Sequence, residues 1–379
     1  MTTTTHISND NPHPTTRKLY QQTPLIRSLP LSTLVGKPVY VKLDALQASG
    51  SFKDRGMAHL CTTYYQRGVT QLISSSGGNA GLAVATMAQQ LSHPANNKNN
   101  NNSKNSNNLQ VHVVVPQTTK PMVIDKLHTL GATVTITGEN WNAADAVARQ
   151  MVADRQGQAE YVSPYDNPLL WTGHATLVTE IFDQLVQEQQ EQQSSDHEPT
   201  MKAWKHPLLG ALIVSVGGGG LLCGVLEGLQ NASTATSSTS SSSSISTKVI
   251  AAETQGASSF GQAWAAGHVV TIPSIDSIAT SLGATSVTPV ALERAKQHVG
   301  GVESAICTDA EAIQACLQFA NDHRLLVEPA CGAALAVAYT PRLRDTYLQH
   351  IDGAIVIEVC GGSGVNVDLL YQWKQQFGL

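Results

Sequence analysis

Short runs of β-branched and aliphatic residues alternate with amphipathic stretches along most of this 379-residue chain. Strand-like runs occupy residues 39–43, 71–74, 111–115, 133–137, 209–216, 249–253 and 354–359. Apolar residues recur at helical spacing between them, over residues 52–66, 141–156, 310–320 and 332–339. Strands that alternate with helices predict an α/β fold with open, mostly parallel sheets flanked by helices.

Composition and charge limit the classes of partner. Hydrophobic residues make up 41% of the chain and charged residues 13%, which is typical of a globular protein. The net charge is -5 and the basic residues are scattered singly, so we expect no nucleic-acid partner. The apolar stretch 208–226 is long enough to raise the question of a membrane span, but four consecutive glycines interrupt it. We therefore expect no membrane partner and predict a buried strand, a turn and a helix there.

The cysteines and the N-terminus bear on the compartment. Six cysteines occur without a C-x-x-C pair or a neighbouring histidine pattern, which argues against a zinc site. Reduced thiols fit a cytoplasmic protein best. The first 18 residues are rich in Thr, Asn and His and lack the apolar core of a secretory signal.

Three segments of biased composition interrupt the alternation. They are an Asn-rich run at 96–108, a Gln/Glu-rich run at 187–198 and a Ser/Thr tract at 233–247. Such compositions bury too little apolar surface to offset the entropy of ordering them. We predict that all three are mobile surface insertions without a binding role.

Lys53 lies in a loop of small residues, SGSFKDRG, that leads into a helical pattern. We expect Ser51 to be the N-cap, which would place Lys53 in the first helical turn. The positive end of the helix dipole then favours the neutral amine that covalent cofactor chemistry needs. A single lysine at a helix start is, by itself, more often a solvated surface charge.

Three further loops follow predicted strands. The residues SSSGGNAG at 74–81 place bare amides and hydroxyls before a helix, which suits a carboxylate, although such turns are common in purely structural roles. Gly217, Gly218, Gly219 and Gly220 let the backbone wrap a phosphate, and their spacing fits neither a dinucleotide nor a P-loop motif. Cys360 begins CGGSG at a strand's carboxyl end, where ligands collect in α/β sheets, while a lone cysteine is usually an inert core residue.

The order and spacing of these loops closely resemble the serine/threonine dehydratases of pyridoxal-phosphate fold type II, the tryptophan synthase β-like fold. The resemblance covers nearly the whole chain and is carried by SGSFKDRG, SSGGNAG, SVGGGGLLCGV, VEPACGAALA and CGGSG. The leading cysteine of the last motif points to the catabolic L-serine dehydratase branch. The expected activity is dehydration and deamination of L-serine, and of L-threonine, within amino-acid catabolism and gluconeogenesis.

The resemblance implies a role for each site residue. Lys53, Ser76 and Asn79 form the catalytic set, with Lys53 binding pyridoxal phosphate covalently and later taking the substrate's α-proton. Phe52 stacks on the cofactor ring, the four glycines hold its phosphate, Asn79 bonds its 3-oxygen and Cys360 lies near its ring nitrogen. Ser76, Gly77 and Asn79 receive the substrate carboxylate. A monovalent-cation site, with potassium as the candidate, is implied at Glu253, Ala257, Leu282 and Ala284.

Two positions depart from the family pattern. Gly77 stands where several members carry Ala, which is expected to enlarge the space beside the substrate. Asp54 follows the lysine where an apolar residue is frequent. The first departure leaves the rate and the preference between serine and threonine open.

The resemblance also implies an organisation in two lobes and a homodimer. Residues 47–166 would form the small lobe, and residues 1–46 plus 167–379 the large cofactor-binding lobe. Because Leu379 follows the last motif closely, we expect no C-terminal regulatory domain. The alternatives left open are another reaction of the same fold, such as racemisation or β-replacement, and a cofactor-binding protein without turnover.

Overall fold

The computed structural model describes residues 18–92, 109–194, 209–237 and 246–379. The strands of these ranges are β1 Leu25–Arg27, β2 Val39–Lys42, β3 Gln71–Ser74, β4 Gln110–Val115, β5 Thr133–Ile136, β6 Ala159–Val162, β7 Leu209–Ser215, β8 Lys248–Thr254, β9 Val302–Cys307 and β10 Ala354–Glu358. The helices are α1 Leu29–Val35, α2 Lys53–Gln66, α3 Asn79–Ser92, α4 Pro121–Thr129, α5 Trp141–Asp154, α6 Pro168–Ser194, α7 Gly220–Ser237, α8 Ser259–Ala266, α9 Pro289–Gln297, α10 Asp309–His323, α11 Pro329–Tyr339, α12 Pro341–Tyr347 and α13 Val367–Gln376.

The strands form two sheets. A six-stranded sheet has the order β1-β2-β10-β7-β8-β9, and a four-stranded sheet has the order β5-β4-β3-β6. All pairs are parallel except β1 with β2. The predicted α/β fold with mostly parallel sheets is thus confirmed. Strands β1, β6 and β9 lie at sheet edges and were not predicted from the sequence.

The loops predicted to carry chemistry follow central strands. β10 pairs with β7 on one side and with β2 on the other. The loops that begin at Cys360 and at Gly217 are therefore neighbours at the carboxyl ends of these strands. The loop after Ser74 leaves the central strand β3 of the other sheet. Parallel strands therefore bring three segments far apart in sequence to the carboxyl ends of their sheets, as expected for ligand sites in α/β folds.

The interior is apolar and unusually rich in small residues. Every residue of α11 is buried, and its sequence PACGAALAVAY lets it pack closely beneath the six-stranded sheet. The stretch 208–226 contains the predicted strand β7, the glycine turn and the start of α7. Among the described residues, no helix combines the length and apolar character needed to cross a membrane.

Two local predictions were wrong. The Gln/Glu-rich and Ser/Thr-rich segments were expected to be insertions throughout, but their first residues continue helices α6 and α7. Those helices are long enough to carry a polar end beyond their packed part. The Asn-rich run lies outside the described residues. Ser51 is not the N-cap of α2, because Phe52 occupies that place without a side-chain cap, and Ser51 instead forms a β-bridge with Gly361.

Candidate active site

Lys53 is the first residue of α2, and its amine is held against backbone. Its Nζ donates a hydrogen bond to the carbonyl of Pro164 at 2.6 Å. Burial lowers the pKa of the Lys53 amine to about 8, against a smaller opposing effect of Cys360. With this pKa roughly a tenth of the molecules carry a neutral amine at pH 7, far more than for an ordinary lysine, and the neutral amine is a nucleophile and a base.

The residues beside Lys53 fix the first turn of α2. Phe52 donates its backbone N–H to the carbonyl of Cys360 at 3.2 Å, which joins the lysine segment to the CGGSG loop. The Phe52 ring lies 5.1 Å from the ring of His174, centroid to centroid. His174 is fully buried, and burial lowers its pKa well below the ordinary value, so it packs as a neutral ring. The Phe52 ring thus contacts the buried His174 ring, and its centroid lies 4.9 Å from Lys53 Nζ.

The loop between β3 and α3 has the features of an anion site. Within the described residues, no protein acceptor is found for the backbone N–H of Ser76, Gly77 or Asn79. Asn79 opens α3, so these groups gather at a helix N-terminus, where anions bind favourably. Gly81 is required by close approach, because a Cβ there would lie 1.9 Å from the carbonyl oxygen of Ser76.

Gly77 does not create the extra space expected from its small size. A Cβ on Gly77 would lie 2.7 Å from Thr119 Oγ1 and 3.2 Å from Val115 Cγ1. The volume that an alanine methyl would fill is thus taken by Thr119. That expectation is corrected: Gly77 admits the neighbouring side chain and leaves no added room.

The glycines of the third loop form a close-fitting cradle. A Cβ on Gly218 would lie 2.4 Å from the ring of Tyr165, and one on Gly220 would lie 2.6 Å from the Tyr165 carbonyl oxygen. Gly219 has a φ of +90°, a conformation that glycine adopts without strain. In the described part of the chain, none of the N–H groups of Gly217, Gly218, Gly219 and Gly220 has a protein acceptor. Free amides at the start of α7 fit a phosphate group.

Cys360 is buried and carries a neutral thiol. A hydrogen bond with Cys331, together with burial, raises the pKa of the Cys360 thiol well above its ordinary value. All six cysteines are free and buried. A neutral thiol is a weak hydrogen-bonding group, so it cannot hold a proton on a ring nitrogen as a carboxylate would.

The four residues of the expected cation site lie on two separate segments, 253–257 and 282–284. The Glu253 carboxylate accepts the N–H groups of Phe260 at 2.9 Å and Gly261 at 2.7 Å, at the start of α8. Burial raises the pKa of Glu253 to about 8 despite these bonds. Leu282 contacts the glycine cradle, since a Cβ on Gly217 would lie 3.1 Å from its Cα, and its carbonyl accepts the N–H of Ala284 at 2.7 Å. Within the described ranges, no group of three or more His, Cys, Asp or Glu side chains could hold a metal ion.

Two residues at the site escaped sequence reasoning. Tyr165 packs on the glycine cradle, and Glu328 accepts hydrogen bonds from Asn79, Ser281 and Gly364. A signal for Glu328 was present, because it is the one charged residue of the otherwise apolar segment VEPACGAALA. Tyr165 gave no comparable signal, since its role depends on a contact with a loop more than fifty residues away.

Residues 16–361 match the family described as pyridoxal-phosphate dependent enzyme. The chain therefore belongs to that family, and it is an enzyme of the class that the fold and the loops indicated.

Several relatives are similar over almost their full length. The human L-serine dehydratase/L-threonine deaminase is 37% identical over 366 residues, which is 95% of this chain and 96% of that protein. An L-serine dehydratase from Saccharomyces cerevisiae is 33% identical, over 91% of this chain and 94% of that protein. These relatives confirm the predicted family.

Solved structures agree. A fungal L-serine ammonia-lyase from Rhizomucor miehei superimposes with a TM-score of 0.77 at 31% identity, covering 95% of this chain and all of that one. A maize serine racemase superimposes with a TM-score of 0.71 at 22% identity, over 94% of this chain and 92% of that one, which supports the fold alone. The predicted fold is therefore confirmed.

Proposed function

We propose that this protein is an ammonia-lyase that dehydrates and deaminates L-serine to pyruvate and ammonia, and L-threonine to 2-oxobutanoate and ammonia. The observation that carries the proposal is the position of the Lys53 amine: Nζ donates to the carbonyl of Pro164, next to Tyr165, which packs on the glycine cradle. The start of the Lys53 helix is joined to the Cys360 segment by the hydrogen bond that Phe52 N–H donates to the Cys360 carbonyl. The identity to serine dehydratases over nearly the whole chain supports the same reaction.

The residues present fit pyridoxal phosphate. We assign Lys53 as the group that binds the cofactor covalently, Phe52 as the ring that packs against it and Gly217–Gly220 as the phosphate site. Asn79 Nδ2 donates to Ser281 Oγ at 3.4 Å, the longest of the contacts of its amide, and a ring oxygen would replace that hydrogen bond. When bound, the cofactor supplies an electron sink for the charge left at the substrate's α-carbon.

The chain's own groups then do the following. The N–H groups of Ser76, Gly77 and Asn79 hold the substrate carboxylate. Once the substrate amine has displaced it from the cofactor, the freed Lys53 Nζ takes the α-proton, since a base with a pKa near the working pH is efficient. Cys360 would face the cofactor's ring nitrogen as a neutral thiol and would leave it without a carboxylate partner. That arrangement favours loss of the β-hydroxyl, which takes up a proton and leaves as water, over return of the proton to the α-carbon. Lys53 then replaces the product nitrogen on the cofactor, and the released enamine hydrolyses to ammonia and the oxo acid.

The remaining features are proposed on the resemblance. Residues 47–166 are the small lobe, and they include all four strands of the smaller sheet. We assign the potassium site to Glu253, Ala257, Leu282 and Ala284, where carbonyl oxygens would be the main ligands. The protein is a cytoplasmic homodimer that acts on free amino acids in amino-acid catabolism and gluconeogenesis.

The test is to incubate the purified holoenzyme with L-serine and with L-threonine and to measure ammonia, oxo acid and D-amino acid. We expect ammonia and pyruvate, or 2-oxobutanoate, in equal amounts. Formation of D-serine without ammonia would instead identify a racemase of the same fold. Bound cofactor without any product would identify a binding protein.

A further inference from the structure

Glu328 is a buried carboxylate that the proposed reaction does not use. It is the N-cap residue of α11, with extended backbone, and it is only 6% exposed. Its backbone N–H donates to the carbonyl of Gly361 at 3.3 Å, so both its backbone and its side chain touch the segment after β10.

Three donors converge on this one carboxylate. Oε2 accepts from Asn79 Nδ2 at 3.1 Å and from Ser281 Oγ at 2.5 Å. Oε1 accepts from the backbone N–H of Gly364 at 2.5 Å. The donors come from the start of α3, from the turn Thr280–Leu282 and from the CGGSG loop. A carboxylate is the side chain that accepts from all three sides without offering a donor.

The CGGSG loop is shaped around Glu328. Gly362 has a φ of +122°, and a Cβ there would lie 2.1 Å from Glu328 Cδ. A Cβ on Gly364 would lie 2.8 Å from Glu328 Oε1. Two of the three glycines in this motif are therefore needed to make room for the carboxylate. An acidic residue at the protein surface would not require such glycines.

Glu328 also fixes the orientation of the Asn79 amide. Asn79 Oδ1 accepts the N–H of Ser363 at 2.9 Å, while Nδ2 faces Glu328. The two ends of an amide are almost equal in shape, so only such partners distinguish them. With an N–H on one side and a carboxylate on the other, a flipped Asn79 would place its oxygen against Oε2 and its donors against another donor.

We propose that Glu328 is a positioning residue, whose carboxylate holds the Asn79 amide so that Nδ2 points its second hydrogen at the bound cofactor. This rests on the proposed function for the role of Asn79 towards the cofactor ring. Glu328 then acts through Asn79 and ties the loop after β3 to the loop after β10.

The experiment is a double-mutant cycle on cofactor affinity, with Glu328→Gln, Asn79→Ala and the double variant of the full chain. Each cofactor-free protein is titrated with pyridoxal phosphate, and the dissociation constant is read from the visible absorbance. We expect each single variant to bind about tenfold more weakly, and the double variant to bind no more than about twofold more weakly than Asn79→Ala alone. Fully additive losses would overturn the proposal, because Glu328 would then act independently of Asn79.

A conservative variant tests the need for a carboxylate, and a surface variant serves as a control. Glu328→Asp keeps a carboxylate, and its cofactor affinity should lie between the wild type and Glu328→Gln; an affinity as low as that of Glu328→Gln would overturn the need for a carboxylate. If Glu328→Gln does not fold, Glu328→Asp takes its place in the cycle. Glu303→Gln is the matched control, because Glu303 pairs with Lys248 at the surface and both side chains are more than a third exposed. Its cofactor affinity should stay within about twofold of the wild type.

The readout separates this inference from the proposed function. A protein that binds pyridoxal phosphate but releases no ammonia from serine would refute the proposed function and leave the cycle interpretable. Additive losses in a protein that does deaminate serine would refute only the role of Glu328.

Discussion

The helix that carries Lys53 and the loop that carries Ser76 and Asn79 are anchored by different chemistry. Behind Lys53, Arg55 donates to Asp44 at 2.7 and 2.8 Å and to Glu180 at 2.7 Å, and both Arg55 and Asp44 are fully buried. Beside the Ser/Gly/Asn loop, Ser75 Oγ donates to Asp145 Oδ1 at 2.6 Å.

The hydrogen bonds around Asp145 are partly exposed to solvent. Asp145 also accepts from the hydroxyl of Tyr161, and Arg149 donates to its other oxygen at 2.7 Å while remaining 58% exposed. Water can replace a lost partner there, whereas it cannot easily reach the buried ions behind Lys53. Substitutions behind Lys53 should therefore act on folding, and substitutions beside the other loop should act mainly on substrate binding.

The largest expected effect is that of Arg55→Leu. The substitution leaves Asp44 buried without its cation, which costs about 3–5 kcal/mol of unfolding free energy. Urea unfolding of the variant and the wild type measures this loss. The matched substitution Arg149→Leu removes an exposed i,i+4 pair and should cost only about 0.3–0.5 kcal/mol. Equal losses for the two variants would contradict the claim that the buried ion pairs of Arg55 stabilise the fold more than the exposed pair of Arg149.

Asp54→Asn is expected to stabilise the protein at high pH. Burial raises the pKa of the Asp54 carboxyl to about 6, although Ser49 N–H donates to Oδ2 at 2.9 Å, and Oδ1 has no partner among the described residues. The unfolded chain ionises this group near pH 4, so the folded state loses stability as the pH rises towards and through 6. Asparagine avoids this loss.

The gain should be about 2–3 kcal/mol at pH 8 and below about 1 kcal/mol near pH 4.5. Thermal unfolding at the two pH values measures it, with Asp125→Asn on the exposed face of α4 as control. A gain that does not depend on pH would show that Asp54 ionises as readily in the folded protein as in the unfolded chain.

Asp145→Ala should have a smaller effect on stability and a visible effect on binding. Loss of its hydrogen bonds should cost about 1–2 kcal/mol. Because the loosened loop supplies the amides for the substrate carboxylate, we expect KM for serine to rise about three- to tenfold, with kcat changing less. Steady-state kinetics separates the two constants. A fall in kcat with unchanged KM would mean that Asp145 supports the chemistry instead of the binding loop.

The smallest effect is expected from removing residues 97–107. These residues lie outside the described ranges, but the segment's flanks are close, since the N–H of Leu109 donates to Ser92 Oγ at 3.1 Å. Closing a shorter loop changes the entropy only logarithmically, by less than about 1 kcal/mol. Thermal unfolding and cofactor binding should both match the wild type. A variant that no longer folds would assign the segment a packing role.

The two anchors also show what the sequence could and could not predict. Strand β3 and the start of α5 were predicted because their apolar residues follow a regular local period. The Ser51 cap was predicted wrongly because Ser51 pairs with Gly361, more than three hundred residues away. Arg55 gave no sign that it would meet Glu180, a partner 125 positions away. Motifs revealed the loops, while the contacts that hold them in place depend on tertiary packing.

Lys53 is proposed to carry the cofactor. Borohydride reduction of the holoenzyme, followed by digestion and mass spectrometry, locates the lysine whose Nζ is bonded to pyridoxal phosphate. We expect the modification on Lys53, its loss in Lys53→Ala together with nearly all ammonia release, and its retention in Lys120→Ala. Modification of another lysine, or a Lys53→Ala variant that keeps the wild-type visible spectrum and turnover, would contradict it.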